Sequence, residues 1–353
     1  MKSTRGIRRR DMLLGAGVAV AALSGFTAMP ESSAPRPLRA APATAVTDPD
    51  LVPSPRSYAD VPWDPESAVF PLRSDTSRWW LVGSSTAEYA GAHVAALAER
   101  LSARLYKDAK AGETDAQIAS RMGLAPARLS FPGREVTPGG RVWGVASPLT
   151  TRVSRPYAGR VEGTDVTGVL AWDPQRAVPS FTRTDAGGPV RVPDSVRFLP
   201  TQAPGHRADL TLFLGGGKNS VTTAGVESEE IVAGWQAQHA WLAPQRPAFL
   251  RQGFFANAYA PDNGRVRENI DAVNAWGRST LGARFLDIEA WLAADALWTQ
   301  VGVEPTRADL EAQAARRLPP SLADRGGFHL RDAAAQAWVQ HVVGPRILAL
   351  GWA

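Results

Sequence analysis

From Arg78 onward, short apolar runs alternate with stretches whose apolar residues recur every three or four positions. RWWLVGSS, ADLTLFLGGG, AFLRQGFF and the start of ARFLDIEAWL are brief, apolar and closed by Gly or polar residues, the pattern of buried strands. GAHVAALAERLSARL places Val94, Leu97, Leu101 and Leu105 on one helical stripe. TDAQIASRMG reads as a short helix with a Gly stop, and SEEIVAGWQAQHAWL as a helix with acids at its positive end. RENIDAVNAWGRS, TRADLEAQAARRL and RDAAAQAWVQHVV add three helices. Strands alternating with helices predict an α/β fold with a parallel sheet covered on both faces, whose functional groups gather at the carboxyl ends of the strands. Ser85 and the run Gly215 to Asn219 stand at two such ends.

Between Leu124 and Gly205 the period changes. GGRVWGVASPLTTRV, GTDVTGVLAWD, SFTRTDAGGPVRVP and VRFLPT alternate β-branched and aromatic residues between Gly and Pro turns. Residues 124–207 are therefore expected to be a small all-β subdomain inserted into the main domain, formed by 78–123 and 208–353. Residues 46–77, rich at first in Pro, Ser and Asp, read as a linker or irregular arm.

The sequence pI near 9.9 invites a nucleic-acid reading, and the distribution of charge removes it. Residues 1–45 carry seven Lys and Arg against Asp11 and Glu31, which accounts for the whole net charge of +5 and leaves the rest of the chain balanced. That segment opens STRGIRRRDMLLGAGVAVAALSGFTAM, paired arginines before a weakly apolar stretch, the form of a twin-arginine export signal. The competing reading is a membrane anchor, for which some 18 residues rich in Gly and Ala make a marginal span. Export implies a secreted or cell-envelope protein with no stable span after processing. The chain has no cysteine, and its five histidines show neither HExxH nor close-pair spacing, so neither a disulfide framework nor a zinc site is expected.

A Ser after Gly at a strand end is by itself as readily a helix cap as a nucleophile. Four blocks in order change its weight: GSST around Ser85, AGETDAQIASRMG with Gly112, GGGKN with Asn219, and GGFHLRDA with His329. Together they resemble the SGNH hydrolase, or GDSL-type esterase, family, whose four defining residues are Ser, Gly, Asn and His in this order. The resemblance runs from Arg78 to the C-terminus apart from the β-rich segment. It implies a three-layer α/β/α sandwich with a mostly parallel, flavodoxin-like sheet. Ser85 is then the nucleophile, and Ser85, Gly112 and Asn219 are the oxyanion donors. His329 takes and returns the proton. Gly admits backbone close to an oxyanion, and an Asn amide donates without titrating. No metal or organic cofactor is implied.

Two positions depart from the family. Ser84 stands where the Asp of a GDS block is usual. Gly326 stands where an acid three residues before the His is usual, and Asp324, five residues before, is the substitute. Asp324 reaches the ring if Gly326 and Gly327 let the loop double back; otherwise a backbone carbonyl orients it.

Other readings are weaker. GGGKNS lacks the Ser or Thr after Lys218 that a phosphate loop requires. Asp287 and Glu289, two apart, have the spacing of a glycosidase pair, but a cap by Asp287 with Glu289 in the first turn of IEAWLAADALW is the simpler reading. Trp79, Trp80, Trp143 and Trp172 are better read as core than as sugar platforms. The expectation is an exported serine esterase acting on a short acyl ester, with an extracellular or envelope carbohydrate as the favoured bearer of the acyl group, a small-molecule or glycan ester as partner and no nucleic acid. A glycan-binding protein on a degenerate hydrolase fold, motivated by Gly326 and by the β-rich insert, and an acyltransferase using the same residues are the alternatives.

Overall fold

The computed structural model describes residues 72–143, 146–147, 155–173, 175–223, 225–259 and 264–353. The leader 1–45 and most of the expected linker, 46–71, lie outside them.

In chain order, β1 (Asp75–Gly83) leads into α1 (Ser85–Arg100), β2 (Arg104–Ala109) and α2 (Asp115–Met122). Nine short strands follow: β3 (Ala127–Leu129), β4 (Glu135–Val136), β5 (Arg141–Trp143), β6 (Ala146–Ser147), β7 (Tyr157–Val161), β8 (Thr167–Asp173), β9 (Val178–Arg183), β10 (Val190–Arg191) and β11 (Val196–Pro200). The chain then forms β12 (Asp209–Leu214), α3 (Lys218–Thr222), α4 (Ser228–Trp241), β13 (Phe249–Gln252), α5 (Gly264–Leu281) and β14 (Phe285–Leu286). It ends with α6 (Ile288–Ala293), α7 (Ala296–Val301), α8 (Arg307–Ala314), α9 (Asp332–Trp338), a π-helical turn over Val339–Val343, and α10 (Gly344–Ala349).

The fold is mixed α/β. Five strands form a parallel sheet in the order β14-β13-β12-β1-β2. Counted along the chain this is 2-1-3-4-5, a doubly wound order whose switch point lies between β1 and β12. Alternation along the strands explains why helices cover both faces. Trp79 and Leu81 of β1, Leu210, Leu212 and Leu214 of β12, and Leu250 of β13 pack with α1, α6, α7 and α9 in one apolar cluster. Trp80 and Val82, Phe213 and Phe249 point the other way, into a second cluster with α2, α3, α4 and α5.

The predicted helix over GAHVAALAERLSARL ends earlier than its stripe. It closes at Arg100, Ser102 takes a left-handed φ of 57°, and Leu105 belongs to β2. β2 escapes a sequence reading because RLYKDA is an edge strand with exposed and half-buried positions at its start, and Leu105 continues the spacing of Leu101 by coincidence. The other elements lie close to their predicted places. α2 has a full capping box from Thr114 and Gln117 and a left-handed Gly123 after it.

Between α2 and β12 in sequence lies a separate antiparallel sheet in the order β5-β9-β8-β7-β11-β3-β6, with β4 and β10 paired beside it. It has its own apolar cluster, in which Phe181 and Phe198 are fully buried and meet edge to face. β3, β4 and β7 fall outside the runs whose alternation predicts strands. Among the described residues no helix is long and apolar enough to cross a membrane.

Candidate active site

β1 and β12 end side by side, and their turns are locked together. Gly83 has φ +152°, and a Cβ there would fall 1.9 Å from the Leu214 carbonyl oxygen, so no other residue fits. Ser84 Oγ donates to the Gly215 carbonyl at 2.8 Å. Ser84 occupies the N-cap position of α1, yet its side chain makes no cap bond because it is spent on this cross-link. Ser85 is therefore the first residue of the helix rather than its cap. Its amide is one of the unpaired donors at the positive end of a 16-residue helix.

Gly112, with φ +86°, forms the turn after β2. The turn is held from beneath by a buried ion network: Arg121 of α2 pairs with Glu113 at 2.6 Å and also with Asp108 of β2, and all three side chains are no more than 3% exposed. Burial works against the Arg121 cation, but the two carboxylates outweigh it and hold its pKa above the ordinary value. Asn219, in α3, donates from Nδ2 to the Glu113 carbonyl at 2.9 Å, which ties the β12 turn to the Gly112 turn. An amide nitrogen carries two N–H groups, so this bond leaves one for another acceptor. Below Asn219, Ser220 Oγ accepts from the Asp115 amide, Asp115 accepts from Gln238 at 2.7 Å, and Gln238 accepts from Arg251 at 2.7 Å. Three helices and β13 thus anchor the floor of the site.

His329 sits in the loop before α9. Its Nδ1 is 2.9 Å from Asp324 Oδ2. The loop doubles back: Asp324 N donates to the His329 carbonyl at 2.8 Å, Gly327 N donates to the Asp324 carbonyl at 3.0 Å, and Gly327 adopts φ +74°. Asp324 Oδ1 also accepts the Phe328 amide at 2.9 Å. Partial burial disfavours the Asp324 carboxylate, but the hydrogen bonds from the His329 ring and the two amides prevail and hold its pKa below the usual range.

Ser85, Gly112, Asn219 and His329 line one cavity of about 240 Å³, together with Ala111, Lys218, Thr222, Thr223, Asn257 and Phe328. A hydroxyl, an imidazole held by a carboxylate, and amide donors around one small space are the parts of a nucleophilic acyl-transfer site. Among the described residues no group of three or more His, Asp or Glu stands where it could hold a metal ion.

Lys218 is one of the lining residues that the sequence did not single out for this site, and the charged one. It is 8% exposed, its Nζ lies 3.6 Å from the centroid of the Phe255 ring, and it donates to the Phe328 carbonyl at 3.2 Å. It thereby bridges the Asn219 turn and the His329 loop. Burial pushes its pKa down to about 7, with Asp324 opposing the fall. The only signal in the sequence is its adjacency to Asn219; its burial is tertiary.

The other candidates fall elsewhere. Asp287 caps α6 by accepting the Ala290 amide at 2.9 Å, and Glu289 is bound by Arg267, Arg278 and Arg316. Trp79 and Trp80 are core. Trp143 is exposed, but its ring is covered by Arg176 at 4.4 Å and its Nε1 donates to Asp173. Comparison of the chain with family models, with curated proteins and with solved structures gave no match.

Proposed function

We propose that the protein is a serine ester hydrolase of the SGNH type, acting on a short acyl ester. The observation that carries this reading is the convergence on one cavity of four residues far apart in the chain, Ser85, Gly112, Asn219 and His329, with the His329 ring held at Nδ1 by Asp324. The 2-1-3-4-5 strand order and the two-sided helix cover support reading the main domain as a flavodoxin-like three-layer sandwich. The antiparallel sheet between α2 and β12 is read as its insert. The leader supports export by the twin-arginine route to the cell envelope or beyond.

In this mechanism Asp324 fixes the His329 tautomer with its proton on Nδ1, leaving Nε2 to accept the Ser85 proton as Oγ attacks the acyl carbon. The oxyanion draws on the Ser85 amide, the Gly112 amide and the free N–H of Asn219. The C–O bond to the alcohol breaks as His329 returns the proton to the leaving oxygen. Water then repeats the sequence on the acyl-serine, releasing the acid and restoring Ser85. Asp324 holds the ring nitrogen where Gly326 offers no acid, which removes one of the two motives for a degenerate binding site and leaves the β-rich segment as the other.

The test is fluorophosphonate labelling of the protein with mass mapping of the modified residue, alongside turnover of p-nitrophenyl acetate. The expected result is labelling at Ser85, with both signals lost in Ser85→Ala and in His329→Ala. Turnover retained by folded Ser85→Ala overturns the reading.

A further inference from the structure

Six large hydrophobic side chains are exposed among the described residues, and three of them, Tyr89, Tyr259 and Phe328, at 50, 62 and 53%, meet at the same turn. Tyr89, on α1, lies edge-on to the His329 ring with centroids 4.8 Å apart. Phe328 belongs to the turn and lines the cavity. Tyr259 abuts Gly327 so closely that a Cβ there would come 2.4 Å from the Tyr259 ring, and the neighbouring Ala258 amide donates to the Gly327 carbonyl at 2.8 Å. Phe328 lines the cavity, and the other two rings flank the turn that carries Phe328 and His329; exposed rings clustered in this way mark a binding surface.

The cavity itself, about 240 Å³, is below the roughly 300–1,000 Å³ that encloses a drug-sized ligand. It has room for a small acyl group, so the alcohol half of the ester must lie across the rim. Asn257, two residues before Tyr259, lines the same cavity, and its Oδ1 is buried with no hydrogen-bond partner among the described residues. A buried acceptor without a partner is costly, and a small turn of the Asn257 amide toward the cavity it lines lets an occupant supply the missing donor.

Resting on the esterase reading, we infer that Tyr89, Tyr259, Phe328 and Asn257 form the subsite for the leaving alcohol and that this alcohol is a sugar ring. A pyranose has an apolar C–H face to lie against the negative faces of aromatic rings and hydroxyl groups to donate to Asn257. An alkyl alcohol satisfies the first requirement and leaves the second unmet. Of the three rings only Phe328 lines the cavity, whereas an acyl or alkyl chain calls for an unbroken apolar trough.

The experiment compares kcat/KM for acetylated xylotetraose, octyl acetate and p-nitrophenyl acetate in the wild type, Tyr259→Ala, Tyr259→Trp and Asn257→Ala, with calorimetric titration of acetylated xylotetraose into the Ser85→Ala protein carrying the same changes. Tyr259→Ala and Asn257→Ala are expected to lower the ratio of sugar-ester to p-nitrophenyl acetate kcat/KM about tenfold and to weaken titrated binding to a similar degree. Tyr259→Trp is expected to retain both. An unchanged ratio, or a fall confined to octyl acetate, overturns the sugar subsite while leaving the esterase reading in place. Binding that depends on Tyr259 without any ester turnover by the wild type overturns the esterase reading and upholds the subsite.

Discussion

Asp324 Oδ2 lies 2.9 Å from His329 Nδ1 although the two are five residues apart in a loop. The same carboxylate takes the Phe328 amide on its other oxygen, so its position is fixed independently of the ring it holds. Replacing it by Asn keeps the shape but offers an amide that also donates, and the imidazole loses its preference for the proton on Nδ1. Asp324→Asn is expected to lower kcat on p-nitrophenyl acetate by about 10²-fold or more with KM little changed, measured by steady-state kinetics. A loss under threefold assigns ring orientation to a backbone carbonyl instead.

Asn219 has two jobs for one amide nitrogen. One N–H is committed to the Glu113 carbonyl at 2.9 Å, and the other is the proposed oxyanion donor. Asn219→Ala is expected to reduce kcat by about 10²–10³-fold. The rate of fluorophosphonate labelling at Ser85 should fall in step, because the phosphonyl oxygen uses the same donors. Unchanged labelling with reduced turnover points away from an oxyanion role.

The sequence carried the parallel sheet and the strands that end beside Ser85 and Gly215, because these rest on local pattern, the periodicity of RWWLVG and LTLFLG; Ser85, Gly112, Asn219 and His329 came from the order of four short blocks, and they line one cavity. It also placed Asp287 at a helix cap, where short-range chemistry decides. It missed β2, whose polar strand has its partners only across the sheet. It left Asp324 open because a hydrogen bond across a five-residue loop depends on Gly327 adopting a left-handed φ. Lys218 and the Tyr89, Tyr259 and Phe328 cluster were illegible for one reason: each is defined by what elements distant in sequence bring beside it.

The Gly112 turn depends on a cation it never touches. Arg121 neutralises Glu113 and Asp108 where all three are out of water, and Glu113 also accepts the Arg155 amide at 2.9 Å. Arg121→Met fills the space but leaves two buried carboxylates without a counter-charge. The expected cost is about 3–5 kcal/mol of unfolding free energy, read by urea denaturation at neutral pH. A cost under about 1 kcal/mol shows that water already reaches the network.

Lys218 gives the site a stability signature in a defined pH window. Burial lowers its pKa to about 7 in the folded protein, whereas a lysine in the unfolded chain keeps its proton to about 10.4. Below pH 7 both states hold the proton, and the folded state bears the full cost of a buried ammonium. Between about 7 and 10 the unfolded chain binds more protons than the folded one, so stability rises with pH, by at most about 1.4 kcal/mol per unit. Above the unfolded pKa the penalty is gone. Lys218→Met has no such group, so wild-type minus variant unfolding free energy should be flat below pH 7 and climb by a few kcal/mol up to pH 10. Guanidinium titrations of both proteins at pH 6, 8 and 10 measure it, and subtraction removes the other groups that titrate there. A flat difference throughout means that the ammonium stays charged over the Phe255 ring. In that case Lys218 holds the Phe328 carbonyl as a permanent cation across the whole working range.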